Sequence, residues 1–305
     1  MKVDPAQAGR RRAAIVVPSY GRPEHAEGCL SALARLEGGP LPVILVDDGS
    51  PTPLAPLAER YPFVTVIRQK NAGPAAARNA GVAAAGDAEV ILFTDDDCRP
   101  KPDWADRLLA AQGGDPDRLV GGRVVNGLDE NAYSRASQAI LTYSYGAFDD
   151  FSDRLSFFTT NNMAVSTERF RALGGFDTRY RFASEDRDFS FRWRLAGGHL
   201  VHTAEAEVTH LHRLTARGFL RQQFSYGRGA RRFHRRVAGL DAPDVAMGSA
   251  RFYAGLLLHP LARPSGRAAV TTVLIGVAHA VLAAGYATEA WQARKPDRQE
   301  TPTAR

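Results

Sequence analysis

The sequence predicts an α/β protein built on a doubly wound, mostly parallel sheet flanked by helices, with a helical appendage at its C-terminal end. Three observations carry this. Short β-branched runs alternate with helical stretches through the first hundred residues, the pattern of strand–helix–strand units wound into a parallel sheet. Polar clusters follow directly on these runs, at Ser19-Tyr20, Asp47-Asp48-Gly49-Ser50 and Asp95-Asp96-Asp97, and in such sheets ligands bind beyond the carboxyl ends of the strands. A length of 305 residues with 44% hydrophobic content suffices for one large domain with an appended segment.

In chain order, residues 13–18 read as a strand, 24–36 as a helix, 43–46 as a strand and 54–60 as a short helix. Residues 64–69 read as a strand, 75–85 as a helix and 89–94 as a strand. Further on, 119–125 is an expected strand, 133–145 an aromatic-rich helix, and 208–211 a strand. Apolar residues from Phe189 to Leu195 recur at helical spacing. The expected organisation is a disordered tail at 1–12, one domain over 13–238, a helical segment over 239–292 and a second disordered tail at 293–305.

The most informative spot is the acidic triplet Asp95-Asp96-Asp97, which follows the apolar run Val90-Ile91-Leu92-Phe93. Like charges this close repel unless a cation or a proton relieves them. The oxygen donors favour a hard ion, Mg²⁺ or Mn²⁺, which takes one or two carboxylates and completes its shell with water and substrate phosphates. The competing reading is an acidic turn capping the next helix. His210 and His212 alternate on the expected strand and so share a face, where either could add a ring nitrogen to the same metal.

Other residues gather around this centre. Asp48 could accept hydrogen bonds from a nucleobase or ribose, and Tyr20 could stack on a base. Their plainer reading is an Asp-Gly-Ser turn and a half-buried tyrosine. Gly73-Pro74 opens a helix whose N-terminus and Arg78 could meet a diphosphate. Glu185-Asp186 stands at the start of another helix, where acids also suit the helix dipole. As a functional group, Asp186 would be a general base that deprotonates an incoming hydroxyl. Gly174-Gly175-Phe176-Asp177 supplies a tight turn just upstream.

The net charge of +6 is concentrated in arginine, at Arg10-Arg11-Arg12 and between Arg213 and Arg236. Such patches attract phosphate or an anionic membrane surface. Nucleic acid is not expected, because zinc-ligand spacing and aromatic RNA-binding patterns are absent. Two cysteines, Cys29 and Cys98, without a CxxC pair favour a reducing, cytoplasmic location. The N-terminus lacks the order of a secretory signal. Residues 268–287 run without a charge for about the length of a bilayer span. This stretch reads as a peripheral or single-span helix at the inner face of the cell membrane, or as a buried amphipathic helix.

Taken together, Val17-Pro18-Ser19-Tyr20, Val46-Asp47-Asp48-Gly49-Ser50, Asn71 with Ala77-Arg78-Asn79, Phe93-Thr94-Asp95-Asp96-Asp97, Gly174-Gly175-Phe176-Asp177 and Glu185-Asp186 resemble the successive motifs of the inverting family 2 glycosyltransferases, which have the GT-A fold. The resemblance runs from about Ala13 to Arg236. It implies a nucleoside-diphosphate sugar donor, a glycan or lipid-linked acceptor, and Mn²⁺ or Mg²⁺ as cofactor. It also implies that Pro18, Tyr20, Asp48, Arg78, Asp95 and Asp96 line the nucleotide-sugar site, and that Asp96 or Asp97 holds the metal with His210 or His212. Asp186, beside Glu185, becomes the catalytic base.

Three rivals are weaker. A dinucleotide-dependent oxidoreductase would want GxGxxG after the first strand, where this chain has Pro18-Ser19-Tyr20-Gly21. A sugar nucleotidyltransferase would want a glycine-rich loop with a following arginine and lysine near its N-terminus. A non-catalytic scaffold of the same fold has no need of the intact carboxylate set.

Overall fold

The first strand, β1 (Ala13–Ser19), is a continuous apolar run that is buried on both faces, as expected of a central strand covered by helices on either side. The computed structural model describes residues 12–146, 157–181, 183–238, 250–262 and 266–293. The expected tails lie outside the described residues, apart from Arg12 and Ala293.

After β1 come α1 (Pro23–Leu33), β2 (Val43–Asp47), α2 (Pro56–Arg60), β3 (Val64–Arg68), α3 (Pro74–Ala83) and β4 (Val90–Thr94). Proline opens α1, α2 and α3, where its missing N–H costs nothing and its fixed φ suits the first helical turn. Gly73 precedes α3 with φ 90°, a conformation that favours glycine. The second half brings β5 (Cys98–Pro100), α4 (Trp104–Gln112), β6 (Arg118–Asn126), α5 (Ala132–Gly146), β7 (Asn162–Ser166), α6 (Thr167–Ala172), α7 (Glu185–Leu195) and β8 (His199–His210). Helices α8 (Ala216–Val237), α9 (Ala250–Leu258) and α10 (Ala268–Gln292) complete the described chain, with a 3₁₀ turn at His259–Ala262.

Among the described residues, eight strands form one sheet in the order β3-β2-β1-β4-β7-β6-β8-β5. The pairs β1–β2, β1–β4, β2–β3 and β6–β8 are parallel, while β4–β7, β6–β7 and β5–β8 are antiparallel. The parallel pairs outnumber the others, and the reversals fall in the second half. One core packs α1 and α4 on one face through Leu30, Leu33, Trp104 and Leu108. The other packs α3 and α7 on the opposite face through Val82, Phe170, Phe176, Phe189 and Trp193.

Candidate active site

The site opens where the strand order changes direction. The β1–β4 ladder ends at Val16 opposite Phe93, whereas the β1–β2 ladder continues to Ser19 opposite Asp47. Beyond Val17 the tips of β1 and β4 therefore part, and Pro18 leaves no unpaired N–H in the gap. This is the switch point at which doubly wound sheets take up ligands. Here a cleft of about 490 Å³ is lined by Pro18, Tyr20, Arg22, Asp48, Arg78 and Asp95, together with Asn71, Gly73, the first turn of α3 and Arg181.

The acidic triplet divides into three environments. Asp95 reaches the cleft and accepts from Arg78 Nη2 at 2.6 Å. Asp96 is fully buried and accepts from Ser19 Oγ at 2.6 Å and from Arg22 Nη2 at 2.5 Å. Burial, with the charges of Asp97 and Asp95, pushes its carboxyl up to about 7 against the pull of Arg22. Asp97 accepts from Arg22 Nη1 at 2.9 Å and lies 3.3 Å from His210 Nε2. Burial opposes ionisation there, but the hydrogen bond and charge of His210, followed by Arg22, hold this carboxyl well below the usual range.

His210 and His212 do share a face, with stacked rings 5.0 Å apart at the centroids. His210 meets Asp97, and His212 sits behind it with its backbone carbonyl accepting from Ser134 Oγ. Burial and the neighbouring His210 lower the His212 ring to about 4, so it stays neutral near pH 7. Cys98 Sγ joins Asp97 and His210, with the three donor atoms within 4.8 Å of one another. Two buried carboxylates thus converge on Arg22, with His210 beside Asp97. A carboxylate and an imidazole converging at such a corner fit a hard-to-borderline divalent ion.

On the far side of the cleft, Arg78 is almost wholly buried and joins two acids from distant parts of the chain. Its Nη2 bonds Asp95, and its Nη1 bonds Glu185 Oε1 at 3.1 Å. Glu185 is buried, and burial raises its carboxyl although Arg78 pulls the other way. Asp186 is half-buried, and its Oδ1 accepts from the Arg187 N–H at 2.8 Å. Burial and the adjacent Glu185 push Asp186 up to about 7. Arg78 thus links Asp95 of the triplet to Glu185, although Glu185 and Asp186 do not themselves line the cleft.

Local structure explains how α7 arrives there. Phe93 at the end of β4 packs on Phe170 and Phe176, and Phe176 packs on Phe189 of α7 at 4.8 Å between ring centroids. Asn79 of α3 clamps the glycine turn, donating to Phe176 O at 2.8 Å and accepting from Phe176 N at 2.9 Å. A Cβ at Gly175 would stand 2.6 Å from Asn79 Oδ1, so the close approach requires glycine there. Ser184, immediately before α7, holds φ 76°. Among described residues it is the one non-glycine with positive φ, a strained conformation of the kind that clusters at functional sites.

Asp48 is buried, and its carboxylate is already engaged by Gln69 Nε2 and by the N–H groups of Ala72 and Gly73, at 2.7 to 2.9 Å. It therefore shapes the loop that enters α3 as well as lining the cleft. Tyr20 is 51% exposed and offers its ring to the opening. Sequence reasoning missed Arg22, the clamp at Asn79 and the third donor Cys98. The available signal for Arg22 was a lone cation just past the first strand, opposite an acidic triplet on the neighbouring strand.

Comparison with known proteins agrees with this geometry. Residues 14–174, more than half of the chain, match the family model described as glycosyl transferase family 2. The pre-mycofactocin glycosyltransferase of Mycobacterium tuberculosis is 28% identical over 253 residues, covering 81% of this chain and 52% of the relative. The chain thus spans about half the length of that relative. The O-antigen chain rhamnosyltransferase RfbN of Salmonella typhimurium is 25% identical over 70% of each chain. Among solved structures, the mannosyltransferase PcManGT from Pyrobaculum calidifontis, in complex with GDP-Man and Mn²⁺, superposes with a TM-score of 0.65 at 16% identity. That match covers 93% of this chain and 88% of the other. The expected GT-A architecture is therefore the observed one, and the chain belongs to glycosyl transferase family 2.

Proposed function

We propose that this protein is a metal-dependent, inverting glycosyltransferase that moves a sugar from a nucleoside-diphosphate sugar to a hydroxyl group of a glycan or lipid-linked acceptor, as in the synthesis of cell-surface glycans or glycolipids. The observation that carries this reading is the buried Arg78, which ties Asp95 at the cleft to Glu185 beside Asp186. It puts a fixed positive charge between the place for a diphosphate and the place for a base. The complexes of PcManGT with GDP-Man and Mn²⁺, and of GalNAc-T7 with UDP, GalNAc and Mn²⁺, support the donor class.

In this reading Tyr20 stacks on the base, and Asp48 together with the loop it holds receives the nucleoside. Asp95 meets the ribose. Asp97 and His210 hold Mn²⁺ or Mg²⁺, with Asp96 behind them as the carboxylate that Arg22 and Ser19 steady. The chemistry such an ion supplies when bound is charge neutralisation of the departing diphosphate. Arg78 adds a second, permanent charge in a buried setting, where electrostatic stabilisation is strongest.

Asp186 takes the proton from the acceptor hydroxyl as the hydroxyl oxygen attacks the anomeric carbon from the face opposite the diphosphate. One bond forms as the other breaks, and the configuration inverts. A carboxyl lifted to about 7 suits this task, since a base works best with its pKa near the working pH. Glu185 keeps Arg78 in place and is the poorer base, because Arg78 already occupies it.

A panel of nucleotide sugars screened for thermal stabilisation with and without Mn²⁺ tests the donor and the metal together. The expected result is one preferred donor whose stabilisation disappears on chelation with EDTA. Turnover of that donor followed by NMR should give the inverted anomer first. Retained configuration, or stabilisation indifferent to EDTA, would reject the mechanism.

A further inference from the structure

Helix α10 buries Ile275 and Ala278, with polar Thr271 and Glu289, on the side that faces the protein, and is apolar on its exposed side. Its inner side packs on α8 and α5, with Ile275 and Ala278 buried beside Phe219, Ala136 and Leu256. Its outer side carries Val270, Val273, Val277 and Trp291, which are 50%, 64%, 38% and 59% exposed. Every exposed position from 269 to 291 is alanine, valine or tryptophan. The neighbouring α9 and 3₁₀ turn extend the patch with Leu258 and Leu261, 60% and 45% exposed. At 1.5 Å per residue this face is about 37 Å long. Contiguous exposed apolar surface of this extent marks an interaction site.

We infer that the outer face of α9 and α10 docks flat on an anionic lipid bilayer. Charge supports this occupant. The described residues from Arg213 onward carry ten arginines and a single acid, Glu289, which is buried and paired with Arg228 at 2.8 Å and Arg232 at 2.6 Å. Arg213, Arg217, Arg221 and Arg235, on α8 and just before it, and Arg251 on α9 are exposed. Basic residues beside an apolar face are what anionic headgroups attract. Trp291, near the C-terminal end of α10, is the kind of side chain that sits at a membrane interface.

The same contacts argue for lying on the bilayer and against crossing it. A Cβ at Gly227 would run into the Leu282 carbonyl and one at Gly285 into the Phe224 carbonyl, so α8 and α10 touch backbone to backbone. Arg267, at the start of α10, pairs with Asp129 at 2.9 Å and Glu130 at 2.6 Å, and Arg135 Nε bonds Thr271 Oγ1 at 3.0 Å. Spanning would strip these partners from α10, or would drag Arg228 and Arg232 into hydrocarbon, which is costly. Docking also explains a feature of the architecture. On its other side α8 packs against Ala183 and Ser184, so the apolar face stands one helix away from Glu185 and Asp186.

The test measures lipid binding and is independent of the catalytic reading. The protein is mixed with vesicles of phosphatidylcholine alone or with phosphatidylglycerol, and both flotation and tryptophan emission are followed. Trp104 and Trp193 are fully buried, so a blue shift reports on Trp291. The expected result is flotation with phosphatidylglycerol vesicles that weakens as salt rises, together with a blue shift. Val273→Glu/Val277→Glu should reduce binding about tenfold or more, and Leu258→Glu/Leu261→Glu provides a second, separate disruption. Monomeric wild-type protein that ignores phosphatidylglycerol vesicles overturns the inference. So does a dimer in light scattering that the glutamates dissolve, since a second copy would then cover the face. Resistance of the vesicle-bound protein to alkaline carbonate, with one terminus protected from protease, overturns it in favour of a span.

Discussion

Two carboxylates of the site, Asp97 and Asp186, are tuned in opposite directions. At Asp97 the hydrogen bond and charge of His210, with Arg22 beyond it, overcome burial and keep the carboxyl ionised. At Asp186 burial and a like-charged neighbour win, and the carboxyl rises to about 7. The difference lies in what each carboxylate bonds. Asp97 meets His210 as well as Arg22, while Arg78 is taken up by Asp95 and Glu185, and among the described residues no guanidinium bonds Asp186 directly. Asp97 is thus held ionised, while Asp186 is held where it can take up a proton near pH 7.

The most severe way to break this division is Asp186→Asn. Turnover is expected to fall by about a thousandfold, with nucleotide-sugar affinity by calorimetry nearly unchanged. Near-normal transfer would remove Asp186 from its role. In the wild type, the rate should rise with pH through about 7 as Asp186 loses its proton. Next in size, Asp96→Ala/Asp97→Ala is expected to weaken Mn²⁺-dependent nucleotide binding by about a hundredfold or more. Unchanged affinity would move the metal elsewhere.

Arg78→Lys keeps the charge but cannot fork between Asp95 and Glu185, and a loss of about tenfold in kcat/KM is expected. Equal rates would mean that charge alone matters at this position. Gly229→Ala acts at a distance. Its Cβ would meet Ser184 Oγ at 2.5 Å and Ala183 O at 2.7 Å, so the turn before α7 must shift. A loss of about 1–3 kcal/mol in stability is expected, with a drop in kcat larger than the change in KM.

The smallest effect sharpens the comparison through stability. Asp186 has a folded pKa near 7 against 3.8 ordinarily, so the folded chain retains a proton that the unfolded chain has released. Its contribution to stability is complete below about pH 4 and is lost as pH rises through about 7. At pH 8 the Asp186→Asn protein should therefore melt a few degrees higher than the wild type, and at pH 4 the two should agree. A lower melting point at pH 8 would contradict the burial argument.

Much of the cleft was legible in the sequence, because parallel strands are apolar runs whose polar ends fall at the switch point of the sheet. The alternation through residue 94 yields β1 to β4 and α1 to α3 within a few residues. Elements β5 and β7 were not foreseen. They span three and five residues, and nothing in Asn162-Met163-Ala164-Val165-Ser166 separates a buried strand from a turn of helix. Alternation placed His210 and His212 on one face, and only the position of Asp97 distinguishes them. The pairing of Arg78 with Glu185 joins residues 107 apart, and a bond of that span leaves no local periodicity to read.

The two glycines of α8 at opposite contacts have one more consequence. Gly227 meets α10 and Gly229 meets Ser184, two residues apart and so on nearly opposite sides of the helix. At Gly227 backbone rests on backbone, and at Gly229 it rests on the short Ser184 hydroxyl and the Ala183 carbonyl. Force applied to α10 is therefore transmitted through a stiff strut to the residue that sets the direction of α7, and a tilt of the outer helix would be felt as a displacement of the carboxylates.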